Sequence, residues 1–209
     1  MAHHRLEKDF FMPDVWRVAQ TLLGKIIVVV FPEGETAVRI TETEAYGGVS
    51  DRACHAYGGR CTQRTAPMYE EGGTLYIYKC YGIHHMLNIV TGAAGNPCAV
   101  LIRAGEPLWG IELMKSRRKQ EDLRKLTVGP GALTAALGIP IHWSGQSAIN
   151  HPHFFLYDDG FKVTEIACGT RIGVEYAGAD ASHLWRYWIS DSSFVSYSKR
   201  KIITFVPQI

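Results

Sequence analysis

The sequence predicts an α+β protein: one mixed domain over residues 1–209, with a central, largely antiparallel sheet and a protruding β-hairpin. Three observations lead there. Runs rich in β-branched, apolar and aromatic residues at 25–31, 37–44, 75–80, 83–90 and 98–104 alternate with turn signals, the pattern of hairpin-linked strands. Helical spacing of apolar residues is confined to a few short stretches. No internal repeat, low-complexity stretch or linker divides the 209 residues, a length that can bury a substantial core.

In chain order, Pro13 and Asp14 open a helix with Val15, Val18, Ala19, Leu22 and Leu23 at helical spacing, closed by Gly24. The strand 25–31 turns at Pro32-Glu33-Gly34 into 37–44. There, period two puts Val38, Ile40, Glu42 and Glu44 on one face. A carboxylate ending an apolar face is partly desolvated, which suits Glu44 to general base work; an ion pair with a nearby Arg is the alternative. The loop 46–73 is rich in Gly, Arg and Thr and carries His55, and its length marks it as functional or mobile. A second hairpin joins 75–80 to 83–90 through Tyr81-Gly82. An aromatic at a protruding turn suits insertion into a DNA base step, or else folds back onto its own sheet.

In the strand 98–104, Val100 and Ile102 share one face, Leu101 and Arg103 the other, and Arg103 is either ion-paired or functional. Pro107 is expected to begin a helix running to about 119, with Leu108, Ile111, Leu113 and Met114 as its apolar face. The basic stretch 115–125 is either a solvated helix end or a set of phosphate contacts. Gly129-Pro130-Gly131 opens a short helix, 132–137, stopped by Gly138; its free N–H groups suit a phosphate, or the glycines only serve the turn. Residues 142–152 read as irregular. Strands 154–158 and 162–168 flank Asp159-Gly160 as a hairpin, and 170–207 reads as strand-rich, with Trp185, Tyr187, Trp188 and Phe194 in the core.

Composition narrows the function. No apolar run is long enough to span a membrane, and the charged residues after Met1-Ala2-His3-His4 do not read as a signal peptide. Five Cys without a C-x-x-C pair point to reduced thiols in the cytoplasm. Net charge of +2 neither announces nor excludes a nucleic-acid partner. G-x-S-x-G, P-loop and H-E-x-x-H motifs are absent, and the adjacent pairs Cys54-His55 and His84-His85 face opposite ways on a strand, so no metal is expected. What remains is Glu44, Tyr46, His55, Tyr78, Tyr81, Asn88 and Arg103: a carboxylate, aromatics and polar groups on neighbouring strands.

Thr41-Glu42-Thr43-Glu44-Ala45-Tyr46, Ala53-Cys54-His55, Gly72-Gly73-Thr74-Leu75-Tyr76-Ile77-Tyr78, Tyr81-Gly82, Leu87-Asn88-Ile89 and the run Val100 through Leu108 resemble the alkyladenine (3-methyladenine) DNA glycosylases of the human type. Gly129-Pro130-Gly131-Ala132-Leu133 is similar to a further motif of that family. The resemblance covers nearly the whole chain and is strongest from 36 to 138. It implies a fold similar to the C-terminal domain of methionyl-tRNA formyltransferase. It also implies a monofunctional repair enzyme that flips out alkylated or deaminated purines and hydrolyses the N-glycosidic bond. 3-Methyladenine, 7-methylguanine, hypoxanthine and ethenoadenine are all open as substrates. By matching positions, Glu44 is the general base and Arg103 helps hold the attacking water. Tyr46, His55 and Tyr78 form the aromatic walls, and Asn88 crowds the amino group of normal guanine. Tyr81 is the wedge, with Gly82, Gly129 and Gly131 on the DNA side. The partner is double-stranded DNA containing damaged purines, met by a monomer without cofactor, membrane or catalytic Lys. The setting is the cytoplasm, on the nucleoid of a bacterium, or the nucleus of a eukaryote. Lys79, Cys80, His84 and His85 depart from the more apolar or aromatic hairpin of the human-type enzyme. A lesion-binding module without catalysis and a hydrolase of free nucleosides are the competing classes. Glu44 with Arg103 speaks against the first, and Tyr81 with the basic stretch against the second.

Overall fold

The structure, a computed structural model, describes residues 4–196 and 203–207. Its strands are β1 (His4–Arg5), β2 (Ile26–Phe31), β3 (Gly34–Tyr46), β4 (Leu75–Cys80), β5 (His84–Thr91), β6 (Cys98–Trp109), β7 (Phe154–Asp158), β8 (Ile166–Gly169), β9 (Arg186–Ile189) and β10 (Ile203–Phe205). The helices are α1 (Val15–Thr21), α2 (Ile111–Arg118), α3 (Leu123–Leu126) and α4 (Pro130–Leu137). One large sheet runs β1-β7-β2-β3-β6-β5-β4, with β9, β8 and β10 branching from β3. The pairings are antiparallel throughout. The chain is therefore α+β with a large antiparallel sheet, as the sequence predicts.

β3 is the spine. One edge pairs first with β2 and then, over Glu42–Glu44, with β9, while β6 follows the other edge. Such length is encoded by a run without Pro and with a single Gly at its start. The main core lies between the sheet and the helices: Val38, Ile40, Val100, Ile102, Leu87 and Leu75 meet Val18 of α1 and Leu133 and Leu137 of α4. Asp14 caps α1, its carboxylate accepting from the Arg17 N–H at 2.9 Å.

The strict period-two reading of β3 is corrected. Between Ile40 and Glu42 the strand advances two residues while β6 advances one, so Thr41 is a bulge. Val38 and Ile40 face the main core, but beyond Thr41 that face carries Thr43, whose hydroxyl donates to the Ala19 carbonyl, and Ala45. Glu42 and Glu44 are thereby turned to the opposite face. A single inserted residue inverts every later side chain.

Pro107 does not begin a helix. β6 continues to Trp109, with Pro107 opposite Val38 and Leu108 half-buried in the strand. β5 accompanies β6 only as far as Leu101, so among the described residues no strand flanks Pro107 on that side, and its missing N–H removes no ladder bond there. The helix starts after Gly110, whose φ of 73° and whose approach to the Glu35 carbonyl leave no room for a side chain. Met114 is its buried anchor, as expected.

The Asp159-Gly160 hairpin is also absent. Asp159 instead holds Arg39 of β3 through both carboxylate oxygens, at 3.0 and 2.8 Å, and residues 161–165 form no strand. β8 pairs with β9 and β10, not β7. The bidentate pair pulls the chain across the sheet, overriding a strong local turn signal. The stretch after 170 contains β9, β10 and a 3-10 segment, Glu175–Ser182. Tyr187 and Trp188 are buried, Trp185 packs beside the core, and Phe194 is only half-buried. Part of the region read as strand-rich, 197–202, lies outside the described residues, as do Met1, Ala2 and His3.

In the basic stretch, Lys115 pairs with Glu112 and Glu121, Arg117 with Glu33, and Lys125 with Asp122, while Arg118 donates to the Leu126 carbonyl. These contacts favour the solvated-helix reading for those four side chains.

Candidate active site

Glu44 emerges where four strands present one row of side chains. Glu44 lies opposite Leu101, Leu101 opposite Asn88, and Asn88 opposite Tyr76, across β3, β6, β5 and β4. Cross-strand neighbours share a face, so the row is set by register alone. A second bulge, Arg103 of β6, follows from the step Glu42↔Ala104 to Thr43↔Ile102. The two bulges bring Glu42, Glu44 and Arg103 together.

Glu44 is fully buried, and its oxygens meet three donors. Oε1 accepts from the Ile172 N–H at 2.8 Å, and Oε2 from the Tyr46 hydroxyl at 2.8 Å. Arg103 Nη1 stands 3.2 Å from Oε2. The other side of the guanidinium reaches Glu42, with Nε 3.3 Å from Oε1. Glu42 also accepts from Arg186 Nη1 at 2.9 Å and from the Ser196 N–H and hydroxyl at 2.8 and 2.6 Å. Two buried carboxylates thus face two buried guanidiniums. Burial alone would lower the Arg103 pKa, but the charges of Glu44 and Glu42 hold it above its ordinary value.

Beside this pair opens a cavity of about 510 Å³ lined by Tyr46, His55, Tyr76, Tyr78, Asn88 and Arg103, among others. The His55 ring meets Tyr78 edge-on, with centroids 4.6 Å apart, and Tyr76 and Tyr78 lie 5.4 Å apart. Asn88 Nδ2 donates to the carbonyls of Tyr76 and Met86 at 3.1 and 3.3 Å, fixing the amide against the cavity wall. His55 Nδ1 lies 2.8 Å from the Tyr76 hydroxyl, and its Nε2 lies 3.4 Å from Arg64 Nη2. Arg is a donor only, so Nε2 presents its lone pair and the proton is assigned to Nδ1. Burial, aided by the charges of Arg64 and Arg60, lowers the His55 pKa to about 4. The Tyr46 and Tyr78 hydroxyls are driven well up by burial, then respectively by Glu44 and Cys80, and stay protonated.

Of the predicted residues, Arg103, Tyr46, His55, Tyr78 and Asn88 line this cavity, while Glu44 is fully buried and does not line it; it touches the lining residues Tyr46, Ile172 and Arg103. Tyr81 stands at the cavity rim on the β4–β5 tip, 91% exposed. Tyr81 and Gly82 have φ of 50° and 74°, and the Ile83 N–H closes the turn onto the Cys80 carbonyl at 3.2 Å. A left-handed aromatic is strained, and such strain gathers at working surfaces. Gly129, with φ 97°, caps α4, and Gly131 is where α4 meets the hairpin: a Cβ there would fall 2.9 Å from His84.

Sequence reasoning missed several partners. Tyr76 was legible, since it stands two residues before Tyr78 on the same strand face. Arg171 and Arg186 carry no local signal. Arg171 is fully buried, pairs with Asp51 through both nitrogens and lies 4.9 Å over the Tyr46 ring, so it holds both the loop after β3 and the pocket wall. Among the described residues no three of His, Cys, Asp or Glu converge as metal ligands, and no helix is long and apolar enough to cross a membrane.

Fold and cavity together define a class: a small α+β protein with an aromatic-walled cavity beside a buried carboxylate–guanidinium pair. The family described as methylpurine-DNA glycosylase (MPG) matches residues 9–193, and the chain belongs to it. A protein of Clostridium novyi (strain NT) is 42% identical over 202 residues, covering 92% of this chain and 98% of the relative. One from Methanocella arvoryzae is 42% identical over 192 residues, covering 91% and 95%. One from Bacillus licheniformis is 40% identical over 195 residues, covering 93% and 98%. All three are provisionally named 3-methyladenine DNA glycosylases.

Two imidazoles, the half-buried His55 and the buried His151, make a prediction about pH. Burial, helped by His153 and Arg5, lowers His151 to about 4 as well. In the unfolded chain both titrate near about 6.5. The unfolded state therefore binds more protons between about pH 6.5 and 4, and folding stability is lost as pH falls through that window. The melting temperature should be lower at pH 5 than at pH 7.5, and His55→Gln and His151→Gln should each narrow the gap. An equal or higher value at pH 5 would contradict this account of the two rings.

Proposed function

We propose that the protein is a monofunctional purine DNA N-glycosylase of base excision repair. It acts on double-stranded DNA containing alkylated or deaminated purines: 3-methyladenine, 7-methylguanine, hypoxanthine and ethenoadenine. The observation that carries the reading is the buried Glu44, held by Arg103 and Tyr46 of the wall of an aromatic cavity whose rim bears an exposed hairpin-tip Tyr81. Glu44 takes a proton from water, oxygen bonds to C1′ of the sugar, and the C1′–N bond breaks with its electron pair leaving on the purine. Arg103 holds the water against Glu44. No cofactor or metal enters the step. We read residues 1–209 as one domain acting as a monomer, with a fold similar to the C-terminal domain of methionyl-tRNA formyltransferase.

The energetics support the substrate class. A cationic purine gains about 0.5–2 kcal/mol on an aromatic face, here offered by Tyr46, Tyr78 and His55. Its charge also makes it a good leaving group, so a positioned base worth about 10²–10⁴-fold completes the rate. Extrusion costs a few kcal/mol, least for a damaged or mispaired base. Asn88 on the wall is read as crowding the amino group of normal guanine. The test is release of free base by the purified protein from methylated duplex DNA, beside the same modified purines as free nucleosides. Release from duplex only supports the reading. Release from nucleosides alone supports a small-molecule hydrolase, and tight lesion binding without release supports a recognition module.

The wedge role gives a separate expectation. Tyr81→Ala removes stacking worth about 1–3 kcal/mol from the flipped complex. Base release should fall most for lesions that pair well in the duplex and least for mispaired ones, measured by varying the base opposite. The melting temperature should not drop, because the side chain is exposed. A lower melting temperature with equal loss on all substrates would make Tyr81 a structural residue.

A further inference from the structure

The loop residue Arg64 stands apart from the buried arginines of the site. Arg103, Arg171 and Arg186 are buried and each pairs with a carboxylate. Arg64 is exposed, and among the described residues no carboxylate pairs with it. Its guanidinium carbon lies 4.9 Å from the centre of the Tyr78 ring, and its Nη2 lies 3.4 Å from the lone pair of His55 Nε2. Tyr78 and His55 are the same rings that a cationic purine would use. Arg64 also lies between two concavities, as do Cys54, His55 and Tyr176. It lines the 510 Å³ cavity and a neighbouring one of about 290 Å³ that carries Arg52 and Arg60.

We propose that Arg64 is a specificity-determining residue that competes with cationic purines for the cation-binding face of Tyr78. The inference rests on the glycosylase reading for its substrate class. A cationic base must displace a cation already seated there, so it gains only the difference between two cation–π contacts. It also meets like charge until the side chain withdraws toward the second concavity, whose Arg52 and Arg60 do not welcome another cation. A neutral base such as hypoxanthine meets no such repulsion. Arg64 therefore compresses the preference that three aromatic walls would otherwise give to charged lesions, and broadens the range of accepted purines.

The test measures binding, so that it does not depend on turnover. In the Glu44→Gln background, duplexes of one sequence carry 7-methylguanine, which is cationic, or hypoxanthine, which is neutral. Adding Arg64→Gln should shift the ratio of their dissociation constants toward 7-methylguanine by about 2- to 30-fold, the range of one cation–π contact. Arg64→Lys keeps the charge and should stay closer to the Arg64 ratio than Arg64→Gln does. A uniform weakening of both duplexes with an unchanged ratio would show that Arg64 meets only the DNA backbone and would overturn the proposal. A shift toward hypoxanthine would overturn it too. Base release by the unsubstituted protein is scored separately. If that fails while the binding ratio moves as expected, the catalytic reading falls and the selectivity role of Arg64 stands.

Discussion

Glu44→Gln should lower base release from alkylated duplex DNA by at least about 10²-fold while duplex affinity stays near that of the parent protein. The geometry explains why so conservative a change costs so much. Both carboxylate oxygens accept hydrogen bonds, Oε1 from Ile172 and Oε2 from Tyr46, and Oε2 also pairs with the Arg103 guanidinium. A carboxamide has one acceptor oxygen and a donor NH2, so one side of it must face a donor. It also has no basic site to take a proton from water. The melting temperature records the first effect and single-turnover release the second. Glu44→Asp separates them further: it keeps the charge but withdraws it by one methylene, and should also lose release. Near-full activity in Glu44→Gln would remove Glu44 from the chemistry.

Arg103→Ala should lose base release and about 3–5 kcal/mol of folding stability together. Its guanidinium bridges Glu42 and Glu44, both fully buried. Without it Glu42 retains Arg186 and Ser196, but Glu44 keeps only the Tyr46 hydroxyl and the Ile172 N–H. A buried carboxylate without a cation is the expensive outcome. Arg103→Lys tells the structural part from the catalytic one. It restores the charge, yet a single ammonium cannot reproduce the planar fork that spans two carboxylates. Stability should recover in part and release should not. If Arg103→Ala melts like the parent, the bridge contributes nothing. If the folded variant releases base at the parental rate, Arg103 serves structure only.

The candidate site was legible in short motifs because each sits within one strand or its following loop. Glu44 and Tyr46 are two residues apart on β3, and Tyr78 and Tyr81 lie on one hairpin arm and its tip. Resemblance to a family then supplied roles that spacing alone left open. The two helices and turns that local chemistry controls were also legible: Asp14 caps α1, and Gly138 stops α4. Pro107 and Asp159-Gly160 misled because their local preferences were outvoted. A strand with one unflanked edge tolerates Pro, and the Arg39–Asp159 pair redirects the chain.

By itself the sequence determined the α+β class, the β2–β3 and β4–β5 hairpins, and the identities of the polar and aromatic groups at the candidate site. These follow from periodicity and turn residues, which act over a few neighbours. Only the tertiary structure decided which way those groups point and what holds them. The bulge at Thr41 inverts the face that Glu42 and Glu44 occupy, and period two cannot foresee an inserted residue. Arg171 reaches Asp51 across 120 positions and Arg186 reaches Glu42 across 144, contacts that no local pattern encodes. A buried charge finds its partner through space, because desolvation penalises it until one is found, and the chain distance between the two is irrelevant to that balance.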